Sequence, residues 1–215
     1  MPKENLKKYL TLLMKKFIAI VTICCSLSTF SQDKLGAFTG FNYSYFTDGI
    51  AGQILAEESF GLQLGIVYEK ELSPKVHFRP KLAFSQQGDR TKTKGVINFD
   101  PIVGGDFELD QIDSKLTYLN IPLDFKFWNK IYVIAGPQLG FLIQEKQMGE
   151  FNQKAKSSVD FGFNLGAGFT VNKLFFEIGI YQGFTEVYQY NYFYTGNSVK
   201  AQNGYAKFTV GYMFK

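Results

Sequence analysis

The run Val159-Asp160-Phe161-Gly162-Phe163-Asn164-Leu165-Gly166-Ala167-Gly168-Phe169-Thr170-Val171-Asn172 alternates without exception. Every odd position is apolar and every even one is polar or glycine. Successive side chains of a strand point to opposite faces, so this run predicts one strand with a wholly apolar face and a wholly hydrophilic one. The same period recurs at Leu35 to Phe46, Phe60 to Glu71, Lys75 to Gln87, Leu116 to Trp128, Ile131 to Lys146, Leu174 to Tyr188 and Tyr205 to Phe214. Eight strands result. They are longer than the ~5 to 6 residues usual in soluble sheets and match the ~9 to 11 of a tilted bilayer crossing.

The connections alternate as well. Ser73-Pro74, Asn129-Lys130 and Asn172-Lys173 read as tight turns, whereas Thr47 to Ser59, Gly88 to Lys115, Gln147 to Ser157 and Gln189 to Gly204 are long and polar. Short and long connections in turn are the pattern of an outer-membrane barrel, with turns in the periplasm and loops outside. The fold class expected is all-β: an eight-stranded antiparallel up-and-down transmembrane β-barrel preceded by a cleaved signal peptide.

Composition agrees. Of 215 residues, 23 are Phe, 13 Tyr and 21 Gly, against 6 Pro and 1 Trp, a bias toward strand formers and strand-kinking residues. One His and two Cys leave almost no stock for a His-based triad or a zinc site. No Gly-rich phosphate loop follows a strand and opens a helix. Neither a cofactor nor a metal is expected.

Lys15 and Lys16 precede the apolar stretch Phe17 to Phe30, which ends at small residues around Ser31. This is the order of a secretory signal peptide, and the stretch is too short to span a bilayer. Residues 1–31 are therefore read as leader, with Met14 as an alternative start, and residues 32–215 as the barrel domain. Removing Lys3, Lys7, Lys8, Lys15, Lys16 and Glu4 makes the exported chain formally neutral and takes away Cys24 and Cys25. A nucleic-acid partner loses its only bulk support, the apparent basicity of the full chain.

Turning the apolar face toward lipid sends Glu69, Arg79, Lys81, Asp124, Lys126, Asp160, Glu177 and Lys207 into the lumen, four acidic and four basic. The opposite register would put each Arg or Lys into lipid at roughly 2 to 4 kcal/mol near the midplane. These eight are expected to pair as a structural polar network. Gly36, Gly40, Gly61, Gly65, Gly136, Gly140, Gly162, Gly166, Gly168, Gly179, Gly183 and Gly211 share that inward parity, which suits a narrow lumen filled by side chains. A soluble lipocalin-like barrel would place its apolar face inside instead. Pro80, Pro122 and Pro137 fall within strands, where each should cost a ladder bond or mark a bulge beyond which parity could slip.

Leu35-Gly36-Ala37-Phe38-Thr39-Gly40-Phe41, Tyr118-Leu119-Asn120-Ile121-Pro122-Leu123, Ala135-Gly136-Pro137-Gln138-Leu139-Gly140-Phe141 and the closing Val210-Gly211-Tyr212-Met213-Phe214 resemble the PorT-like outer-membrane β-barrel family. The resemblance spans nearly all of residues 35–214. It implies a small barrel of the porin-family type in a Gram-negative outer membrane, and the family's namesake is linked to protein export. Lys215 departs from the terminal aromatic that barrel assembly machinery prefers.

Three functions follow as expectations. The first is a non-enzymatic barrel that meets other envelope proteins through its loops, in secretion or assembly; Tyr190, Tyr192, Phe193 and Tyr194 form its candidate contact loop. The alternative is a passive conduit or carrier for small molecules. A third is a lipid-modifying enzyme, with His77 as base and Ser85 or Ser44 as nucleophile. The loop carrying Arg90, Lys92 and Lys94, then Asp100, Asp106, Glu108, Asp110 and Asp113, matches no calcium-loop spacing and reads as solvated polarity.

Overall fold

The computed structural model describes residues 33–49, 59–90, 96–98, 106–108, 113–147, 154–191 and 198–214. In chain order the strands are β1 (Lys34–Thr47), β2 (Ser59–Ser73), β3 (Val76–Arg90), β4 (Val96–Asn98), β5 (Asp106–Glu108), β6 (Asp113–Phe127), β7 (Ile131–Gln147), β8 (Val159–Val171), β9 (Leu174–Asn191) and β10 (Ser198–Met213). Eight of them close into an antiparallel barrel in the order β1-β10-β9-β8-β7-β6-β3-β2. Every barrel strand expected from the sequence is present. Closure removes the sheet edge that hydrocarbon would leave unpaired.

The barrel departs from the expected strand limits mainly at β9 and β10. Their hairpin continues through Lys200↔Gln189, Val199↔Tyr190 and Ser198↔Asn191, where a polar loop was expected. Register shifts at Ala201/Gln202 and Gln202/Gly204 mark irregular pairing, and this is why Ser198 to Gly204 carries no clean alternation. The pair β4/β5 is a small separate hairpin within the long β3 to β6 connection. Tight turns join β2 to β3, β6 to β7 and β8 to β9; the last uses Asn172 at φ 54°, a conformation Asn tolerates. This pole, where β1 begins and β10 ends, is the turn end; the other is the loop end.

Parity is as expected everywhere but the loop end of β7. Phe161, Phe163, Leu165 and Phe169 of β8 are exposed on the outer wall, as are Ile178 and Ile180 of β9 and Phe208 of β10. Exposure of so many large apolar groups fits a lipid-facing wall. Phe127, Trp128, Tyr212 and Phe214 lie exposed toward the turn end, and Tyr43, Phe60 and Phe161 toward the loop end.

The prolines cost ladder pairs without shifting parity. The β2/β3 ladder skips Tyr68 and Glu69 opposite Pro80 and Arg79; β3/β6 skips Lys81 and Leu82 opposite Pro122 and Ile121; β6/β7 skips Leu123 and Asp124 opposite Pro137 and Gly136. Registers on either side of each gap are the same, so no slip occurs at the prolines; the β6/β7 ladder shifts farther on, between Thr117 and Tyr118, and beyond it Gln144 and Lys146 of β7 turn outward. Each gap lies one strand over from the last, because a proline lacks the N–H that would serve the preceding strand. The first and third gaps lie in one cross-strand row, since Arg79 and Pro80 pair with Asp124 and Leu123, and the second sits two residues nearer the loop end. Amide hydrogen exchange on the folded barrel is expected to be faster in residues 66–70, 79–82 and 121–124 than in the uninterrupted β8/β9 ladder. Equal protection in the two regions would contradict this.

Candidate functional site

The lumen gathers the chemistry. All eight charged residues named from the sequence are buried in it, from Asp124 at 0% exposed to Lys207 at 9%. Their common parity places them there, and cross-strand neighbours decide their partners. Arg79 sits centrally, with Nη1 at 3.3 Å from Glu69 Oε2 and 3.2 Å from Glu177 Oε1. Lys126 Nζ donates to Glu69 at 3.1 Å. Lys81 Nζ lies 2.7 Å from Glu177 Oε2 and 3.3 Å from Asp124 Oδ2. Each carboxylate in this group therefore has a cation, which offsets the several kcal/mol that isolated burial of an ion costs.

Two rings hold Arg79 in place. Its guanidinium lies 4.3 Å from the Phe175 ring centroid and 5.3 Å from that of Tyr132, whose hydroxyl donates to Glu177 at 3.1 Å. A Cβ on Gly211 would run into Phe175, and one on Gly168 would lie 2.7 Å from Tyr132 Cζ. Those glycines make the hollows the two rings occupy, where the sequence showed only their inward parity.

Asp160 and Lys207 behave differently. Asp160 accepts from Asn203 Nδ2 at 2.9 Å, and Asn203 also donates to Tyr118 Oη at 3.2 Å. Among the described residues no Lys, Arg or His forms an ion pair with Asp160. Lys207 Nζ donates to Asn164 Oδ1 at 2.8 Å, Asn164 Nδ2 to Gln138 Oε1 at 3.1 Å, and Gln138 Nε2 to Tyr205 Oη at 3.0 Å. The expected mutual pairing of all eight is thus incomplete: six are knit by ion pairs, while Asp160 and Lys207 rest on neutral amides. Gln138, Asn164, Asn203 and Phe175 were not singled out from the sequence. Inward parity was the only sequence signal for Gln138, Asn164 and Phe175, and Asn203 fell in a segment expected as loop.

Among the described residues, side chains fill the lumen toward both ends. Toward the turn end His77 is 5% exposed, with Nε2 at 2.6 Å from Asn129 Oδ1 and Nδ1 at 3.8 Å from Glu69. Toward the loop end Phe46, Leu116, Tyr118, Val187, Tyr188 and Ala201 pack as an apolar cluster with Leu142 and Ala155 against it. Ala155 is held there by its N–H on Glu145 Oε1 at 2.9 Å, and the Lys156 N–H donates to the Val187 carbonyl at 2.7 Å. Between these ends lies a cavity of about 10 Å³ lined by Phe38, Lys81, Asn120, Gln138, Tyr205 and Lys207, among others. That is room for about one water.

The base and nucleophile of the enzyme alternative do not meet. His77 and Ser85 share β3 eight residues apart, roughly 27 Å at a strand's rise of ~3.4 Å per residue. Ser85 Oγ instead accepts from Asn42 Nδ2 at 2.7 Å. Ser44 lies toward the loop end and donates to the Gly88 carbonyl at 2.7 Å. No cluster of three or more His, Cys, Asp or Glu able to hold a metal occurs among the described residues. Of the candidate contact loop, Tyr190 pairs with Val199 at the end of β9; Tyr192, Phe193 and Tyr194 lie outside the described residues.

Known proteins with this architecture resemble the chain in fold. Ail, the attachment invasion locus protein of Yersinia pestis, solved with the heparin analogue sucrose octasulfate, is 14% identical; the match covers 85% of this chain and 99% of Ail, with a TM-score of 0.47. Neisserial surface protein A is 11% identical over 86% of this chain and 98% of that one, with a TM-score of 0.49. OprG from Pseudomonas aeruginosa is 13% identical over 84% and 95%, with a TM-score of 0.43. No curated protein matches the chain. The family model described as outer membrane protein beta-barrel domain matches residues 30–189, most of the closed barrel just described, and the chain belongs to that family.

Proposed function

We propose that this outer-membrane barrel works without catalysis, as a closed, rigid scaffold whose loops meet other envelope proteins, in secretion or assembly. The observation that carries this reading is the filled lumen among the described residues: ion pairs, an amide and tyrosine layer and an apolar cluster pack it, and the cavity beside Phe38, Lys81 and Lys207 measures about 10 Å³. A passage for solutes needs a continuous opening, which such layers oppose. The variable surface is then the loops. The link to secretion rests on the resemblance of the Tyr-Leu-x-Ile-Pro-Leu and Gly-Pro segments to PorT-like barrels. In the same reading residues 1–31 are the leader, residues 32–215 are exported, and the eight lumen charges are structural.

Planar-bilayer recording of the purified protein is expected to give no steady channels in ordinary salt; stable conductance would favour the conduit. Crosslinking and co-purification from intact envelopes test the other half. Exchanging residues 190–194, and separately 91–110, for Gly-Ser linkers should remove a captured partner while leaving gel mobility heat-modifiable. If each of the two loop-exchanged barrels folds and retains every partner, binding through the loops is refuted.

A further inference from the structure

On the outer wall at the loop end, two lysines stand face to face. Lys115 of β6 and Lys146 of β7 are direct cross-strand partners, and both side chains are exposed. Like charges directly opposite one another destabilise a strand pair unless something between them carries the opposite charge. Among the described residues neither lysine has a carboxylate partner. Glu145, the acid beside Lys146 on β7, is engaged elsewhere, accepting from Tyr188 Oη at 2.8 Å and from the Ala155 N–H, and Glu186 on β9 takes Lys156 at 2.9 Å and Lys200 at 3.9 Å. On its other side Lys115 faces Gly88, which offers no side chain.

Their height on the wall identifies the missing anion. The next rung toward the turn end is Thr117↔Gln144, and beyond it lie Leu119↔Phe141 and the exposed Ile143. The lysines thus sit at the edge of the lipid-facing band, where polar headgroups begin. We propose that Lys115 and Lys146 form a binding site for a phosphate-bearing lipid headgroup, whose acyl chains lie against Phe141 and Ile143. The phosphate oxygens bridge the two ammonium groups and turn a repulsive pair into a favourable one. This rests on the membrane placement of the barrel argued above.

The test uses the full-length folded barrel in phosphatidylcholine vesicles containing a minor fraction of phosphatidic acid, with retained lipids counted by native mass spectrometry. Wild type should retain phosphatidic acid over phosphatidylcholine. Each of Lys115→Gln and Lys146→Gln should lower that preference by about fivefold, and the double variant should abolish it. Lys200→Gln, at a lysine already beside Glu186, should leave it unchanged. Equal retention by wild type and the double variant would overturn the site. Displacement of the lipid by an equal concentration of inorganic phosphate would overturn the lipid as ligand. Flotation of the protein with the vesicles, and heat-modifiable mobility of each variant, separate failure of this site from failure of the membrane reading or of folding.

Discussion

Replacing Arg79 with methionine is expected to lower the unfolding free energy of the barrel by about 3 to 5 kcal/mol, the usual cost of removing one partner from a buried ionic group. Arg79 is 1% exposed and bridges Glu69 and Glu177. Its loss leaves Glu69 with Lys126, and Glu177 with Lys81 and the Tyr132 hydroxyl. Methionine can fill the slot between Phe175 and Tyr132, so packing is largely kept and the loss is mainly electrostatic. Arg79→Lys keeps the charge and gives up the planar group that stacks on both rings, so it should cost less. The triple variant Glu69→Gln, Arg79→Met, Glu177→Gln removes both carboxylates together with their shared cation and should recover part of the loss. Urea unfolding in lipid vesicles, followed by Trp128 fluorescence, measures all three. An Arg79→Met barrel within 1 kcal/mol of wild type would show that the ionic cluster does not hold the lumen together.

The difference between Arg79 and Asp160 marks how far sequence reaches. Alternation assigns a face, and Val159 to Asn172 assigns it without ambiguity, so all eight charges were placed inside from the sequence. Pairing needs a second coordinate, the height of each residue after strands tilt and slide past one another. That offset comes from the register between neighbours, such as Gly140↔Asp160 or Lys207↔Gly179, and no single strand contains it. Asp160 therefore read as one more ion-pair member when it is an amide-bound carboxylate. The prolines teach the complementary lesson. Local rules foresaw a lost bond at Pro80, Pro122 and Pro137, but not that the first and third gaps would share a cross-strand row while the register stays the same on either side of each. The β9/β10 extension escaped detection because Ser198 to Gly204 has irregular pairing, and a bulged strand loses its period-2 signal.

Phe163→Arg should cost about 2 to 4 kcal/mol in a bilayer, the price of a cation on the lipid face near the midplane. Phe163 lies well inside β8, is exposed on the outer wall and pairs with Gln182 of β9 and Pro137 of β7. An arginine there has no acid within the apolar band to meet, and it must reach toward a headgroup layer or draw water inward. Val210→Arg on β10 should behave alike. Gly162→Arg, one residue away, acts by a different route: its side chain enters the lumen, where even a Cβ would lie 2.6 Å from the Tyr181 ring. Lipid chemistry separates the two. The penalty at Phe163 should grow as the bilayer thickens, because the charge then sits farther from either headgroup layer, whereas steric crowding at Gly162 should not change with thickness. Lys154→Asp, in an exposed segment toward the loop end, should be near neutral throughout. Folding efficiency into vesicles of increasing acyl length, scored by heat-modifiable gel mobility, gives the comparison. Equal tolerance at Phe163 and Lys154 would contradict the assignment of the apolar face to lipid.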